Sequence, residues 1–169
     1  MDPPHWLKSD ITALRARVDR LVTVFHWGVP YERTPSPEDE AKARFAVDLG
    51  ADLVVGHHPH IIQKFEVYKG TPIFYSVGNF AFGSGNSKAE GLMIAARFEP
   101  GRTAVDIYPI YVKNRDPRVN YQPKVLTGAA ASRALKRLAN ISEASAGHLD
   151  IESHVGRLRL SRRAMAEAK

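Results

Sequence analysis

The feature that most constrains this sequence is a helical pattern enclosed between two short β-branched runs. The runs at 21–25 (Leu-Val-Thr-Val-Phe) and 52–55 (Asp-Leu-Val-Val) have the length and composition of buried strands. The segment between them, 37–49, has the periodicity of a helix. A strand, a helix and a second strand with short connections form a βαβ unit, so we expect the two strands to be parallel.

The ends of this helix are marked by residues with specific backbone roles. Ser36 is a good N-cap, Pro37 suits the first helical position, and Gly50 suits the position just after the helix. The residues predicted to face the core are Ala41, Phe45 and Leu49.

The rest of the chain predicts a mixed α/β (α+β) protein with antiparallel strands after the βαβ unit. The further predicted elements are a short helix at 11–18, a hairpin of 65–68 and 73–76, an antiparallel pair of 92–98 and 104–110, a helix at 127–139, and a helical stretch from about residue 152. In the helix at 127–139 the predicted inward residues are Ala131, Leu135 and Leu138.

Residue types that are absent exclude several kinds of site. The sequence has no cysteine, which excludes disulfides, thiolate zinc sites and cysteine nucleophiles. A metal would therefore be bound by imidazole, carboxylate, amide or backbone oxygen. No apolar run is long enough to cross a bilayer, and residues 1–10 lack the apolar centre of a signal peptide.

Positive charge is concentrated in the last third of the chain. Residues 1–112 contain 12 Lys and Arg against 13 Asp and Glu, whereas residues 113–169 contain 12 against 5. We expect this basic tail to form solvated helix faces, with an anionic polymer as the alternative partner. A nucleic-acid partner is not expected, because no aromatic residue follows Tyr121 to stack on bases.

Histidines follow both strands of the βαβ unit. His26 follows the first run, and His58 and His60 follow the second. The carboxyl ends of parallel strands meet at one sheet edge, where open α/β sheets bind ligands. In an extended turn His58 and His60 would point the same way, with Pro59 limiting their separation. Three imidazoles suit zinc, manganese, iron or nickel, and the alternative is a set of hydrogen-bonded structural histidines.

Four motifs then occur in order, and together they resemble the CapA family of bacterial capsule proteins. The motifs are Phe25-His-Trp-Gly28, Tyr31-Glu-Arg-Thr-Pro-Ser-Pro37, Gly50-Ala-Asp-Leu-Val-Val-Gly-His-His-Pro-His60 and Tyr75-Ser-Val-Gly-Asn-Phe80. The resemblance covers about residues 5–112. It implies a calcineurin-like metallophosphoesterase fold, which is a β-sandwich flanked by helices.

The resemblance also implies roles for particular residues. His26 matches the single histidine of the superfamily's later metal motifs, and His58 and His60 match the paired one. The bound ions would be manganese, zinc or iron, in a two-metal site. The residues expected beside the metal ligands or the substrate are His57, Trp27, Ser76 and Asn79.

The family's early Gly-Asp and Asn-His segments have no counterpart before His26. Two neighbouring metal ions repel each other, and three neutral imidazoles supply no negative charge to offset that repulsion. We therefore expect this chain to be the C-terminal part of a larger protein, inactive alone, whose partner is the missing N-terminal part of the domain. In this interpretation residues 1–112 belong to the metallophosphoesterase-like domain, and 113–169 are a basic extension whose helices pack on it.

The function implied by the resemblance is poly-γ-glutamate capsule biosynthesis at the bacterial cell envelope. The intact parent would be a metal-dependent phosphoesterase-type hydrolase. One alternative is a non-enzymatic capsule-assembly component that binds the anionic polymer or the capsule synthase. Another is a self-contained site in which three histidines bind one metal ion.

Overall fold

Two β-sheets and three α-helices make up the part of the chain that the computed structural model describes, which is residues 5–81, 90–113, 115–117 and 119–161. The helices are α1 (His5–Arg15), α2 (Pro37–Asp48) and α3 (Gly128–Ile141), followed by a 3-10 helix, Glu143–His148. The strands are β1 (Val22–His26), β2 (Leu53–His57), β3 (Phe65–Tyr68), β4 (Thr71–Phe74), β5 (Glu90–Glu99), β6 (Arg102–Tyr111), β7 (Lys124–Val125), β8 (Leu149–Glu152) and β9 (Val155–Ser161).

The first sheet has the strand order β1-β2-β4-β3 and contains the predicted βαβ unit. Strands β1 and β2 are parallel, with a register that runs from Val22 opposite Leu53 to His26 opposite His57. Strand β4 is parallel to β2, and β3 pairs with β4 in an antiparallel hairpin. The parallel pairing and the hairpin are both confirmed.

Helix α2 has the predicted ends but a different buried face. Ser36 Oγ accepts a hydrogen bond from the backbone N–H of Asp39, and Gly50 has a φ of 102°. The prediction that Ala41 is buried is wrong, because Ala41 is exposed, and Phe45 and Leu49 are only partly buried. The residues that face the sheet and α1 are Asp39, Ala43, Ala46 and Val47. The small side chains of Ala43 and Ala46 let the helix approach the sheet closely. In this rotation of the helix the larger side chains of Phe45 and Leu49 lie at the border of the buried face.

The second sheet has the strand order β5-β6-β9-β8, with β7 also paired to β6. The predicted helical stretch from about Glu152 is wrong, since Val155–Ser161 is a strand antiparallel to β6. Leu158 and Leu160 are buried while Arg157 and Arg159 point outward. That alternation has the period of a strand, and it outweighs the weaker helical signal.

The two faces of the first sheet contribute to different cores. Val54, Ile73 and Tyr75 pack against α1 and α2. Leu53, Phe65 and Phe74 pack against buried residues of the second sheet and of α3, including Val105, Leu158 and Leu135. Helices therefore lie on one side of the first sheet and the second sheet on the other. The chain is a mixed α+β protein with the partial sandwich expected from the sequence.

One edge of the first sheet is open in the described residues. Strand β1 pairs there with β2 alone. Val22 and Val24 lie opposite Leu53 and Val55, on the sandwich side of the sheet, yet they are 42% and 67% exposed. The described part of the second sheet does not extend over β1, so two β-branched side chains on an interior-type face remain in contact with solvent.

Strands β1, β2 and β4 are tied together where Trp27 crosses Gly56. The Trp27 indole N–H donates to the backbone carbonyl of Tyr75 at 2.9 Å, and both aromatic residues are buried. A methyl group on Gly56 would lie 2.0 Å from that carbonyl oxygen and 2.6 Å from the indole nitrogen. Only glycine leaves room for this contact.

We expect Gly56→Ala to lower the free energy of unfolding by about 3 kcal/mol or more, at the upper end of overpacking effects, because backbone atoms of Tyr75 cannot move aside. The measurement is urea denaturation. Gly147→Ala is the matched control, since nothing lies within 4 Å of a methyl group there. A similar loss in both variants would show that the Gly56 contact is not the cause.

Candidate functional site

The two parallel strands bring histidines to one edge of the first sheet. His26 is the last residue of β1 and His57 the last residue of β2, and the two are register partners. His58 and His60 follow in the turn after β2. The predicted meeting of these histidines at the carboxyl end of the strands is therefore observed.

His58 lies next to both of the other histidines that the sequence singled out, and we refer to His26, His58 and His60 as the histidine row. The ring centroids of His26 and His58 are 4.6 Å apart, and those of His58 and His60 are 5.9 Å apart. Two imidazoles on one ion, each with its nitrogen about 2.1 Å from the metal, have ring centres roughly 5 Å apart. The spacing within the row is thus of the size that a shared ligand needs.

His57 belongs to the same edge but has a different environment. It is half-buried, and its pKa is lowered first by burial and second by the neighbouring charge of His26. Both effects favour the neutral imidazole. His57 is thus held neutral beside the row of three.

The turn that carries His58 and His60 is not extended, so the predicted reason for their convergence is wrong. Both residues have left-handed backbone conformations, with φ of 101° and 58°. Such conformations are costly for non-glycine residues and persist where surrounding structure enforces them. Tyr31 supplies one restraint, because its backbone N–H donates to the carbonyl of Pro59 at 2.8 Å.

Asn79 contacts the histidine row directly. Its Oδ1 lies 2.8 Å from His60 Nδ1, and its side chain is buried. An amide oxygen accepts, so His60 Nδ1 is the donor in this contact. Asn79 Nδ2 is buried and has no hydrogen-bond partner among the residues that the structure describes. A buried donor without a partner costs about 1–3 kcal/mol, and an anionic oxygen would satisfy it.

Ser76 and Trp27 act in the scaffold of the site. Ser76 Oγ donates to the carbonyl of Ile61 at 2.7 Å, which holds the chain after His60 against the end of the first sheet. The Trp27 ring stacks on Phe25, with centroids 4.4 Å apart and planes 6° apart. These contacts shape the edge on which the histidines lie.

Sequence reasoning missed a group of carboxylates near His26. A cavity of about 630 Å³ is lined by His26 together with Glu32, Glu38 and Asp39. Asp39 is buried and accepts a hydrogen bond from Ser36 Oγ at 2.8 Å. The hydrogen bond to Lys42 and its charge lower the pKa of Glu38. The acidic first turn of α2 was visible in the sequence, but only the fold directs it toward His26.

The donor chemistry of the histidine row fits a divalent metal, but the number of donors does not. Imidazoles are good ligands for zinc, manganese and iron, and the Asn79 contact at Nδ1 orients the His60 ring. Across the described ranges, however, no three His, Asp or Glu side chains are grouped so that they could hold an ion. The row therefore fits the imidazole part of a metal centre and nothing more.

Three of the twelve basic residues after residue 112, namely Arg137, Arg157 and Arg159, form ion pairs in the described part of the chain. Arg157 forms ion pairs with Asp106 and Glu152, and Arg137 pairs with Glu90. Exposed surface pairs of this kind add little stability, but they reduce the free positive charge that a polyanion would meet. Lys136 on α3 is exposed and has no ion pair in the described structure.

Comparison with known proteins identifies the N-terminal half. Residues 3–84 match the family described as bacterial capsule synthesis protein PGA_cap. This segment belongs to that capsule synthesis family. It contains the βαβ unit and all the residues of the histidine site, so the resemblance to CapA proteins is confirmed.

Individual relatives extend the comparison. The chain is 41% identical over 106 residues to the capsule biosynthesis protein CapA of Bacillus anthracis, which is 62% of this chain and 26% of the relative. It is 45% identical over 75 residues to the PGA biosynthesis protein CapA of Bacillus subtilis, covering 44% of this chain and 20% of the relative. An uncharacterized protein of Sinorhizobium fredii is 32% identical over 141 residues, covering 82% of this chain and 26% of the relative.

The relatives are much longer than this chain. The chain spans about a quarter of the length of the curated relatives that it matches. None of the helices in the described residues is both long enough and apolar enough to cross a bilayer.

Asn79→Ala should change the tautomer of His60 with little loss of stability. It removes the hydrogen bond to His60 Nδ1 but also removes the unpartnered Nδ2, and each effect is about 1 kcal/mol. Nitrogen-15 chemical shifts of the imidazole should show a fall in the Nδ1-protonated population. Asn140→Ala, at an exposed position on α3, is the control. An unchanged tautomer ratio in Asn79→Ala would refute the assigned role.

Proposed function

We propose that this chain acts in the biosynthesis of a poly-γ-glutamate capsule at the bacterial cell envelope. The observation that carries this proposal is that the capsule-family segment, residues 3–84, contains the whole histidine row. Two relatives at 41% and 45% identity are named as capsule and PGA biosynthesis proteins. The shared segment is thus the part of the chain where chemistry-bearing residues are concentrated.

The finer proposal is that the histidine row is the imidazole part of a divalent-metal centre for phosphoester-type hydrolysis. His26, His58 and His60 would be its ligands. His57, held neutral nearby, and Asn79, with its unpartnered Nδ2, would border the bound substrate. Manganese, zinc and iron all accept imidazole ligands, and a bound ion would supply Lewis acidity there.

The partner in this proposal is a polypeptide segment that supplies carboxylates and pairs with β1. The absence of a complete ligand group in the described residues and the open β1 edge support this from two directions. An added strand would pair with the open edge of β1, and its side chains would lie beside Val22 and Val24 on the same face of the sheet. The relatives, about four times as long as the matched segment, have ample chain to provide such a strand.

Metal binding by this chain should be weak and should depend on His58. Titration calorimetry with zinc is expected to show at most one ion per chain, with an affinity reduced about tenfold or more in His58→Ala. His154→Ala is the matched control, because His154 is an exposed histidine in the turn between β8 and β9. Equal losses in both variants would mean that zinc binds to exposed histidines in general.

The hydrolase proposal is tested in a full-length capsule synthesis protein that contains this segment. With manganese, hydrolysis of bis(p-nitrophenyl) phosphate should fall by about a hundredfold when the residue corresponding to His58 becomes alanine. The substitution corresponding to His154→Ala should leave the rate unchanged. No activity in the parent protein, or full activity in the His58 variant, would overturn the hydrolase proposal.

A further inference from the structure

A second cavity opens beside the histidine row, on the side away from the acidic turn of α2. It has a volume of about 430 Å³ and lies between α3, the chain after His60 and the loop at 31–33. We refer to it as the α3 cleft. Its lining includes Arg33, Glu90 and Arg137 among polar residues and Ile61, Ile62 and Leu138 among apolar ones.

The apolar lining of the α3 cleft comes from two segments of the chain. Ala134, Leu138 and Ile141 line the cleft at helical spacing along α3, and Ile61 and Ile62 line it from the chain after His60. A bound group would meet hydrocarbon from both segments. This apolar lining suits methylene groups, and it does not suit a ligand that is polar over its whole surface.

The charged side chains that line the cleft have a net positive charge. Arg137 is paired with Glu90, whereas the guanidinium of Arg33 has no ion pair among the residues that the structure describes. The carboxylate of Glu32 accepts a hydrogen bond from the backbone N–H of Arg33 at 3.0 Å. A guanidinium has five N–H donors and binds carboxylates through two of them at once. Among the described residues, Arg33 is therefore a cation of the cleft lining that can bind a carboxylate.

The cleft is adjacent to the histidine row. Ile61 follows His60 directly in the chain, and the Tyr31 ring, which lines the cleft, is centred 6.0 Å from the His60 ring. A chain-like ligand lying in the cleft would therefore extend past His60. This proximity connects the cleft with the chemistry proposed for the histidines.

We propose that the α3 cleft binds a polymer that bears carboxylates on an aliphatic backbone, with γ-linked glutamate as the representative chemistry. Arg33 binds one carboxylate, and the wall formed by Ile61, Ile62 and Leu138 covers the backbone methylenes. Glu90 limits the affinity, because it neutralises Arg137 and repels an incoming carboxylate. This inference rests on the proposed capsule function and adds the location and the specificity residues of polymer binding.

Other occupants fit the cleft less well. A phosphate polymer would satisfy Arg33 but would leave the isoleucine and leucine wall in contact with a fully polar chain. A purely apolar ligand would offer the Arg33 guanidinium no carboxylate. The combination of a guanidinium and an apolar wall favours a ligand that alternates carboxylate and methylene groups.

The test is titration of the full chain, without metal, with a γ-linked glutamate decamer, followed by calorimetry. Arg33→Gln should weaken binding about tenfold, which is the effect of losing one charge-assisted hydrogen-bonded pair. Glu90→Gln should strengthen binding severalfold, because it frees Arg137. Lys136→Gln and Glu99→Gln make the same changes in net charge at exposed positions outside the cleft, and they should have little effect at 0.15 M salt.

Three results would overturn the proposal: no binding of the decamer, equal effects of Arg33→Gln and Lys136→Gln, or equally tight binding of a polyphosphate of the same charge. The opposite signs expected for Arg33→Gln and Glu90→Gln separate recognition from simple loss of structure. The titration contains no metal ion, so its result does not depend on whether the histidine row binds one. Failure of the hydrolase proposal would therefore leave this result intact, whereas an unchanged Arg33→Gln would overturn the cleft alone.

Discussion

The contact of the Trp27 indole with the Tyr75 carbonyl, made over Gly56, is the constraint on which the rest of the structure depends. It joins the ends of three parallel strands at the edge where the histidines emerge. Pairing with β2 fixes the end of β1 as far as His26, and the Trp27 contact fixes the next residue of the chain to the end of β4. The backbone from which the histidines emerge is thus held by packing directly beneath the site.

The histidine-bearing edge of the first sheet is rich in nitrogen donors and poor in negative charge. The histidine row consists of imidazoles, and His57 beside it is held neutral by burial, so the row supplies donors without supplying negative charge. Carboxylates line the cavity next to His26, and Asp39, Glu38 and Glu32 interact with Ser36, Lys42 and the backbone of Arg33, respectively. The described residues thus offer nitrogen donors without a matching group of oxygen donors, which is the basis of the proposal that a partner segment would supply carboxylates.

Local patterns predicted the fold well where they were strong and failed where two signals competed. The caps of α2 and the parallel strands followed from residues with few alternative roles, such as Ser36 and Gly50. The last strand was mistaken for a helix because the alternation of leucine with arginine in 157–160 becomes decisive only when β6 is available as a partner. Ala41 was misplaced because the pattern of α2 permits a rotation that only the sheet and α1 select.

The sequence by itself determined the identity and order of the candidate ligands, since strand ends and the capsule-family motifs are local properties of the chain. Only the tertiary structure decided how these residues meet. It placed His58 and His60 in left-handed conformations, bound His60 to Asn79, and brought Arg33 into the lining of a cleft. The physical reason is that such contacts join segments distant in sequence, and their energies depend on burial and geometry that no local pattern contains.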